Sequence, residues 1–182
     1  MEVLSYLRLK NLVHRDLKPA NLLLNEKFQL VLADFGTAKV VKDKNFKDKP
    51  LQLRKSTSCS ALDQHHTYEE MDSVEEEDMV GTEEYMSPEA INCERDVSFE
   101  SDLWSLGVII YQIFSRDNKT PFHSDDTHES VFDRIRTMKY EELPEDVSLD
   151  ARDLVSKLLV RDPSQRLGAK NINELKCHQF FD

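Results

Sequence analysis

His14-Arg15-Asp16-Leu17-Lys18-Pro19-Ala20-Asn21 lies near the start of the chain, and thirteen residues after Asn21 comes Asp34-Phe35-Gly36. The octet is a polar cluster between apolar stretches. Upstream, residues 3 to 9 (VLSYLRL) suit a short helix with Val3 and Leu7 on one face. Downstream, residues 22 to 24 (LLL) and 28 to 33 (FQLVLA) read as short strands, with Asn25-Glu26-Lys27 as a three-residue hairpin connection. Such a hairpin carries the Asn21 end of one strand beside the Asp34 end of the other. Two oxygen donors then converge, an arrangement suited to Mg²⁺, which takes few protein ligands and keeps several waters. Asp16 and Lys18 fall just upstream on the same edge. A carboxylate, a lysine and a magnesium site in one cleft form a phosphoryl-transfer constellation. Taken singly, Asp16 and Asp34 would serve as helix or turn caps, which the joint pattern reverses in favour of chemistry; Leu23 taken singly is core.

Outward from this cluster the pattern changes twice. Lys42 to Lys55 holds six Lys/Arg against two Asp, and Asp63 to Asp78 holds eight Asp/Glu and no Lys/Arg. A segment so poor in apolar residues cannot offset its ordering entropy, so about 41 to 78 is expected to be a disordered insertion. After residue 97 helical periodicity dominates. Phe99, Leu103, Leu106, Ile110 and Ile113 form a stripe that Ile109 and Phe114 widen, which predicts a buried helix. A second helix is predicted over 127–138 on Val131, Ile135 and Met138. A third is predicted over 149–160, with Ser148 as N-cap and Pro163 as its stop. The class is mainly α with a small β-hairpin element.

Composition bounds the function. The 182 residues carry a formal net charge of −11, eight units of it in the acidic half of the insertion. That balance gives no basic footprint for nucleic acid. Four glycines, against roughly 13 at average usage, sit at 36, 81, 107 and 168, so no glycine-rich nucleotide loop lies within these residues. Cys59, Cys93 and Cys177 are odd in number and lack a C-x-x-C pair, which implies a reducing compartment, cytoplasmic or nuclear. His65-His66 reads as incidental surface histidine. The longest mostly apolar run, Leu103 to Phe114, is 12 residues, short of the about 20 that span a membrane.

"HRDLKPAN" followed by "DFG" resembles the catalytic core of the eukaryotic protein kinases. "VGTEEYMSPE" at 80–89, "SDLWSLG" at 101–107, "RDPSQRLG" at 161–168 and "HQFF" at 178–181 follow in the family's order. The resemblance covers essentially the whole chain apart from the insertion. "DFGTAKV" and "ARDLVSKLLVRDPSQRLGA" look closest to the phosphoinositide-dependent branch of the AGC group. It implies a protein-kinase-like C-lobe: catalytic loop 14–21, metal motif 34–36, activation segment 34–89 and helical subdomain 97–182. The implied reaction moves the γ-phosphoryl of ATP to Ser/Thr hydroxyls of protein substrates, with Mg²⁺ as cofactor. In it Asp16 is the catalytic base, Lys18 neutralises the transferring phosphate, and Asn21 and Asp34 hold the metal. Leu23 lies under the adenine, and Thr82 bonds toward Asp16 and Lys18. Glu89 and Arg166 form a buried ion pair, and Asp102 accepts backbone N–H groups of the catalytic loop. Trp104 and Gly107 are left for packing.

Departures from the family pattern qualify this. The chain starts just before the catalytic loop, so the N-lobe, with its glycine-rich loop and strand lysine, is expected to be absent. The isolated chain is then expected to be inactive, and the alternative reading is a non-catalytic truncated kinase acting as a binding or competitor module. Ala20 stands where many relatives carry an acidic residue that reads substrate arginines. Asp78, three residues before Gly81, falls where AGC kinases carry an activating phosphosite that pairs with Arg15. Either it replaces that phosphate, or its acidic run is a solvated tract; Thr57, Ser58, Ser60, Thr67 and Ser73 are the hydroxyls that could be phosphorylated instead.

Overall fold

The apolar run after residue 97 forms the longest described helix, and the other helices and the segment 14–21 are arranged around it. The computed structural model describes residues 1–41, 81–92, 98–125 and 128–182. The elements are α1 (Glu2–Leu9), β1 (Leu12–Val13), β2 (Leu22–Leu24), β3 (Leu30–Leu32), β4 (Lys39–Val40), α2 (Pro88–Asn92), α3 (Phe99–Phe114), α4 (Val131–Thr137), α5 (Leu149–Leu158) and α6 (Ile172–Lys176). Among the described residues there are two two-stranded antiparallel sheets, β1–β4 and β2–β3. Residues 42–78 of the expected insertion lie outside the described residues, and with them Asp78's surroundings, His65-His66 and Cys59; so does Cys93. Val41, placed at the insertion's edge, still donates its N–H to the Asn11 carbonyl at 2.8 Å.

Helix α3 is buried on nearly every side from Ser101 to Tyr111. Its apolar residues join Leu154, Val155 and Leu158 of α5, Ile135 of α4 and Leu175 of α6 in one core. Gly107 lets α5 approach: a Cβ there would stand 2.8 Å from Leu158 Cβ and 2.9 Å from Leu159 Cδ2. Ile113, assigned above to the buried stripe, is instead 66% exposed, because the buried stretch ends at Tyr111 and the last turn of α3 runs past it.

The other differences are at element ends. Helix α4 begins at Val131 rather than 127, where the Ser130 hydroxyl accepts the Asp133 N–H and sets the start. Helix α5 has the expected Ser148 cap on Ala151 N–H, but it ends at Leu158, five residues before Pro163. Pro163 instead opens a 3₁₀ turn, Pro163–Gln165, capped by Asp162. The hairpin connection spans residues 25–29 rather than 25–27. The Asn25 side-chain oxygen accepts N–H groups from Lys27 and Gln29, and Phe28 turns into positive φ (58°), so strand pairing resumes only at Leu30.

Candidate active site

Strand β1 delivers the chain into the segment 14–21 through fully buried Val13 and His14. The next peptide is held from below. The carboxylate of Asp102, in the first turn of α3, accepts the backbone N–H of His14 at 2.8 Å and of Arg15 at 3.0 Å. Arg15 has φ of 68°, unusual for a side chain-bearing residue, and these two bonds hold it there. Burial pushes the Asp102 carboxyl up to about 6, against the pull of those two amides. His14 ties the segment sideways: its Nε2 lies 3.0 Å from the Ala33 carbonyl, its own carbonyl accepts the Thr37 hydroxyl at 2.8 Å, and its ring meets Phe35 edge-on at 5.0 Å.

On this support Asp16, Lys18, Asn21 and Thr82 converge. Lys18 Nζ stands 2.8 Å from Asp16 Oδ2 and donates to Thr82 Oγ1 at 2.7 Å. Thr82 donates both its N–H (3.1 Å) and its hydroxyl (2.9 Å) to Asp16 Oδ1. The Asn21 amide donates to the Asp16 backbone carbonyl at 2.8 Å and to Oδ2 at 3.1 Å. Both carboxylate oxygens are therefore oriented. Burial raises the affinity of Asp16 for a proton, but the bonds from Lys18, Thr82 and Asn21 outweigh it and hold the carboxyl below its ordinary value. A carboxylate ionised at neutral pH, next to a lysine ammonium, can accept a proton or orient a hydroxyl.

The hairpin places the second pair of residues. Asn21 accepts the Ala33 N–H at 2.9 Å, one step beyond the Leu22–Leu32 pair, which brings Asp34 to the same sheet end as Asn21. Asp34 is exposed, at φ of 59°, with Oδ1 accepting the Gly36 N–H at 3.2 Å. Both residues offer side-chain oxygen, as a hard cation requires. Among the described residues no three His, Cys, Asp or Glu side chains group as a metal site, and Asn21 with Asp34 is the pair that could share a cation at this sheet end. Leu23, expected under an adenine ring, is 51% exposed on the hairpin.

The buried pair packs against the start of α3, at Glu100, Ser101 and Trp104. Arg166 donates from both terminal nitrogens to the two Glu89 oxygens at 2.7 Å each. Ser101 adds a bond to Glu89 Oε1 at 2.9 Å, and the guanidinium also reaches the Val160 and Glu100 carbonyls. Burial acts to raise the Glu89 carboxyl, yet Arg166 wins and holds it low. Trp104, expected only to pack, also lies against the Arg166 guanidinium, 5.1 Å from its ring centre.

Four features had no separate sequence signal. His14 joins three segments, and Arg15 Nε donates to the Thr37 carbonyl. Gly81, at φ of 128°, brings the chain so close that a Cβ would lie 3.0 Å from the Arg15 carbonyl. The Tyr85 hydroxyl bonds Gln112 Oε1 at 2.8 Å. The expected Arg15–Asp78 contact lies outside the described residues.

The protein kinase domain profile matches residues 1–181. The chain belongs to the protein kinase domain family. This kinase chain is 36% identical over 185 residues to the 3-phosphoinositide-dependent protein kinase 1 of Homo sapiens and to that of Mus musculus; each alignment takes in 100% of this chain and 28% of the relative. It is 32% identical over 182 residues to the serine/threonine-protein kinase ksg1 of Schizosaccharomyces pombe, covering 100% of this chain and 27% of that protein. The chain spans little more than a quarter of these relatives' length. The family's reaction uses ATP and Mg²⁺.

Proposed function

We propose that this chain is the catalytic large-lobe portion of a Ser/Thr protein kinase, transferring the ATP γ-phosphoryl to hydroxyls of protein substrates. The observation that supports it most is the triangle of Asp16, Lys18 and Thr82, closed by contacts of 2.7–2.9 Å. In this reading Asp16 receives the acceptor hydroxyl's proton. Lys18 keeps its positive charge over the transferring phosphoryl group. Thr82 fixes Asp16 from the activation segment. Asn21 and Asp34 hold Mg²⁺, which when bound neutralises charge on the phosphates. Glu89 with Arg166, and Asp102, keep these groups in register. Arg15 and Asp78 are assigned to ordering the activation segment, and Leu23 to the adenine floor.

The exposed hairpin favours a second reading. Leu23, Leu24, Leu30 and Val31 are all exposed on a pair of three-residue strands, an apolar surface that calls for a cover. In this reading residues 1–182 act as a binding or competitor module. We place the protein in the cytosol or nucleus on its odd cysteine count; Cys177 is free and exposed. Turnover of purified residues 1–182 on a generic acceptor protein tests the two readings. Negligible transfer and weak Mg-ATP binding are expected; turnover of ~1–100 s⁻¹ that Asp16→Asn abolishes would show the chain to be a complete catalyst.

A further inference from the structure

His123 lies between two carboxylates. Its Nδ1 is 3.0 Å from Glu84 Oε1, and its Nε2 is 3.2 Å from Asp125 Oδ1. A neutral imidazole has one N–H and one lone pair, so it can satisfy only one of two acceptors; the imidazolium satisfies both. Glu84 belongs to the 3₁₀ turn Glu83–Tyr85, whose N-cap is Thr82, the residue that donates twice to Asp16. Asp125 lies in the loop after α3. The contact therefore bridges the activation segment to the helical subdomain, across from the Asp16 anchor.

We propose that His123 is a proton-dependent positioning residue: as imidazolium it ties Glu84 to Asp125 and so steadies Thr82 against Asp16. The proposal takes Asp16 as the centre of the site, as in the reading above, and adds a control of the acceptor-side segment by pH. The charges facing His123 agree on balance. The Glu84 bond and the Asp125 bond favour the charged ring, while partial burial and Lys119, itself 2.6 Å from Asp125, oppose it. Along the same cleft Asp117, Glu141 and Glu142 stand against Arg116 and Arg134. The net effect holds His123 above its ordinary value of 6.5. The tie is therefore complete below pH 6.5 and is lost as pH rises through the higher folded value.

The test is an NMR titration of residues 1–182 between pH 5.5 and 8.5, following the His123 ring and the Thr82 amide. The His123 midpoint is expected above 6.5, and Glu84→Gln is expected to lower it. The Thr82 amide shift is expected to carry a component with the His123 midpoint, absent in His123→Gln. In His123→Arg the shift should stay pH-independent in that range apart from the part due to Asp102, which titrates near 6. A His123 midpoint at or below 6.5, one unmoved by Glu84→Gln, or a Thr82 component that survives in His123→Gln would overturn the proposal. None of these readouts involves nucleotide, so a failure of the phosphoryl-transfer reading would show separately, in turnover.

Discussion

Arg166→Ala removes the partner of a carboxylate that has almost no access to water. Glu89 is 6% exposed and the Arg166 side chain is fully buried. The substitution deletes two 2.7 Å charge-assisted bonds and leaves Ser101 as the only other side-chain donor to Glu89 described above. It also frees the Val160 and Glu100 carbonyls and empties the space against Trp104. Leaving one charge of a buried pair without its partner costs about 3–5 kcal/mol. For a chain of this size that is a fall in melting temperature of roughly 6–20 °C. The assay is urea unfolding followed by tryptophan fluorescence, since Trp104 reports on this very site, with thermal unfolding by circular dichroism alongside. The control is Lys157→Ala, which removes a half-exposed pair with Asp153 and should cost about 0.3–0.5 kcal/mol. The pH dependence has a definite sign. Glu89 is held below its ordinary 4.5, so the pair's contribution is complete above about 4.5 and is lost as pH falls through the lower folded value. Arg166→Ala should flatten that acid limb. A loss under about 1 kcal/mol, or an unchanged acid limb, would refute the buried-pair reasoning.

Asp102→Asn should abolish a component of stability that decreases between about pH 3.8 and 6. Over that interval the folded carboxyl keeps a proton that the unfolded one has released, as urea midpoints measured across the range will show. Gly107→Ala should destabilise by about 1–3 kcal/mol, because its methyl has Leu158 Cβ only 2.8 Å away on a neighbouring helix; unchanged stability would mean that α5 can shift freely.

Much of the site was legible because its residues are close in sequence or carried by one hairpin. Asn21 and Asp34 meet through three strand pairs and one backbone bond, and local apolar patterning foretells that geometry. Glu89 and Arg166 are 77 positions apart, and only the family resemblance could join them. The small strands β1 and β4 escaped the reading since two residues each are too short for a period to appear. The hairpin turn is longer than the apolar pattern suggests, because the Asn25 side chain and the positive φ of Phe28 draw Phe28 and Gln29 out of the strand. Pro163 marks the start of a turn rather than the end of α5, since a proline fits the first position of a helical turn and only bars a helix from running through it. His123 carried no signal at all. Its two carboxylates come from different segments, and a lone histidine beside an acidic loop reads as surface.

In the proposed function Asp16 is the base of the phosphoryl-transfer site and Asp34, with Asn21, serves the metal instead. These roles are tested most directly by phosphate transfer to an acceptor protein with a kinase small lobe supplied in cis, comparing the parent with Asp16→Asn and Asp34→Ala. Asp16→Asn is expected to lower turnover by about 10²–10⁴-fold with nucleotide affinity nearly unchanged, while Asp34→Ala raises the magnesium requirement. Parental turnover in Asp16→Asn would show that Asp16 is not the base.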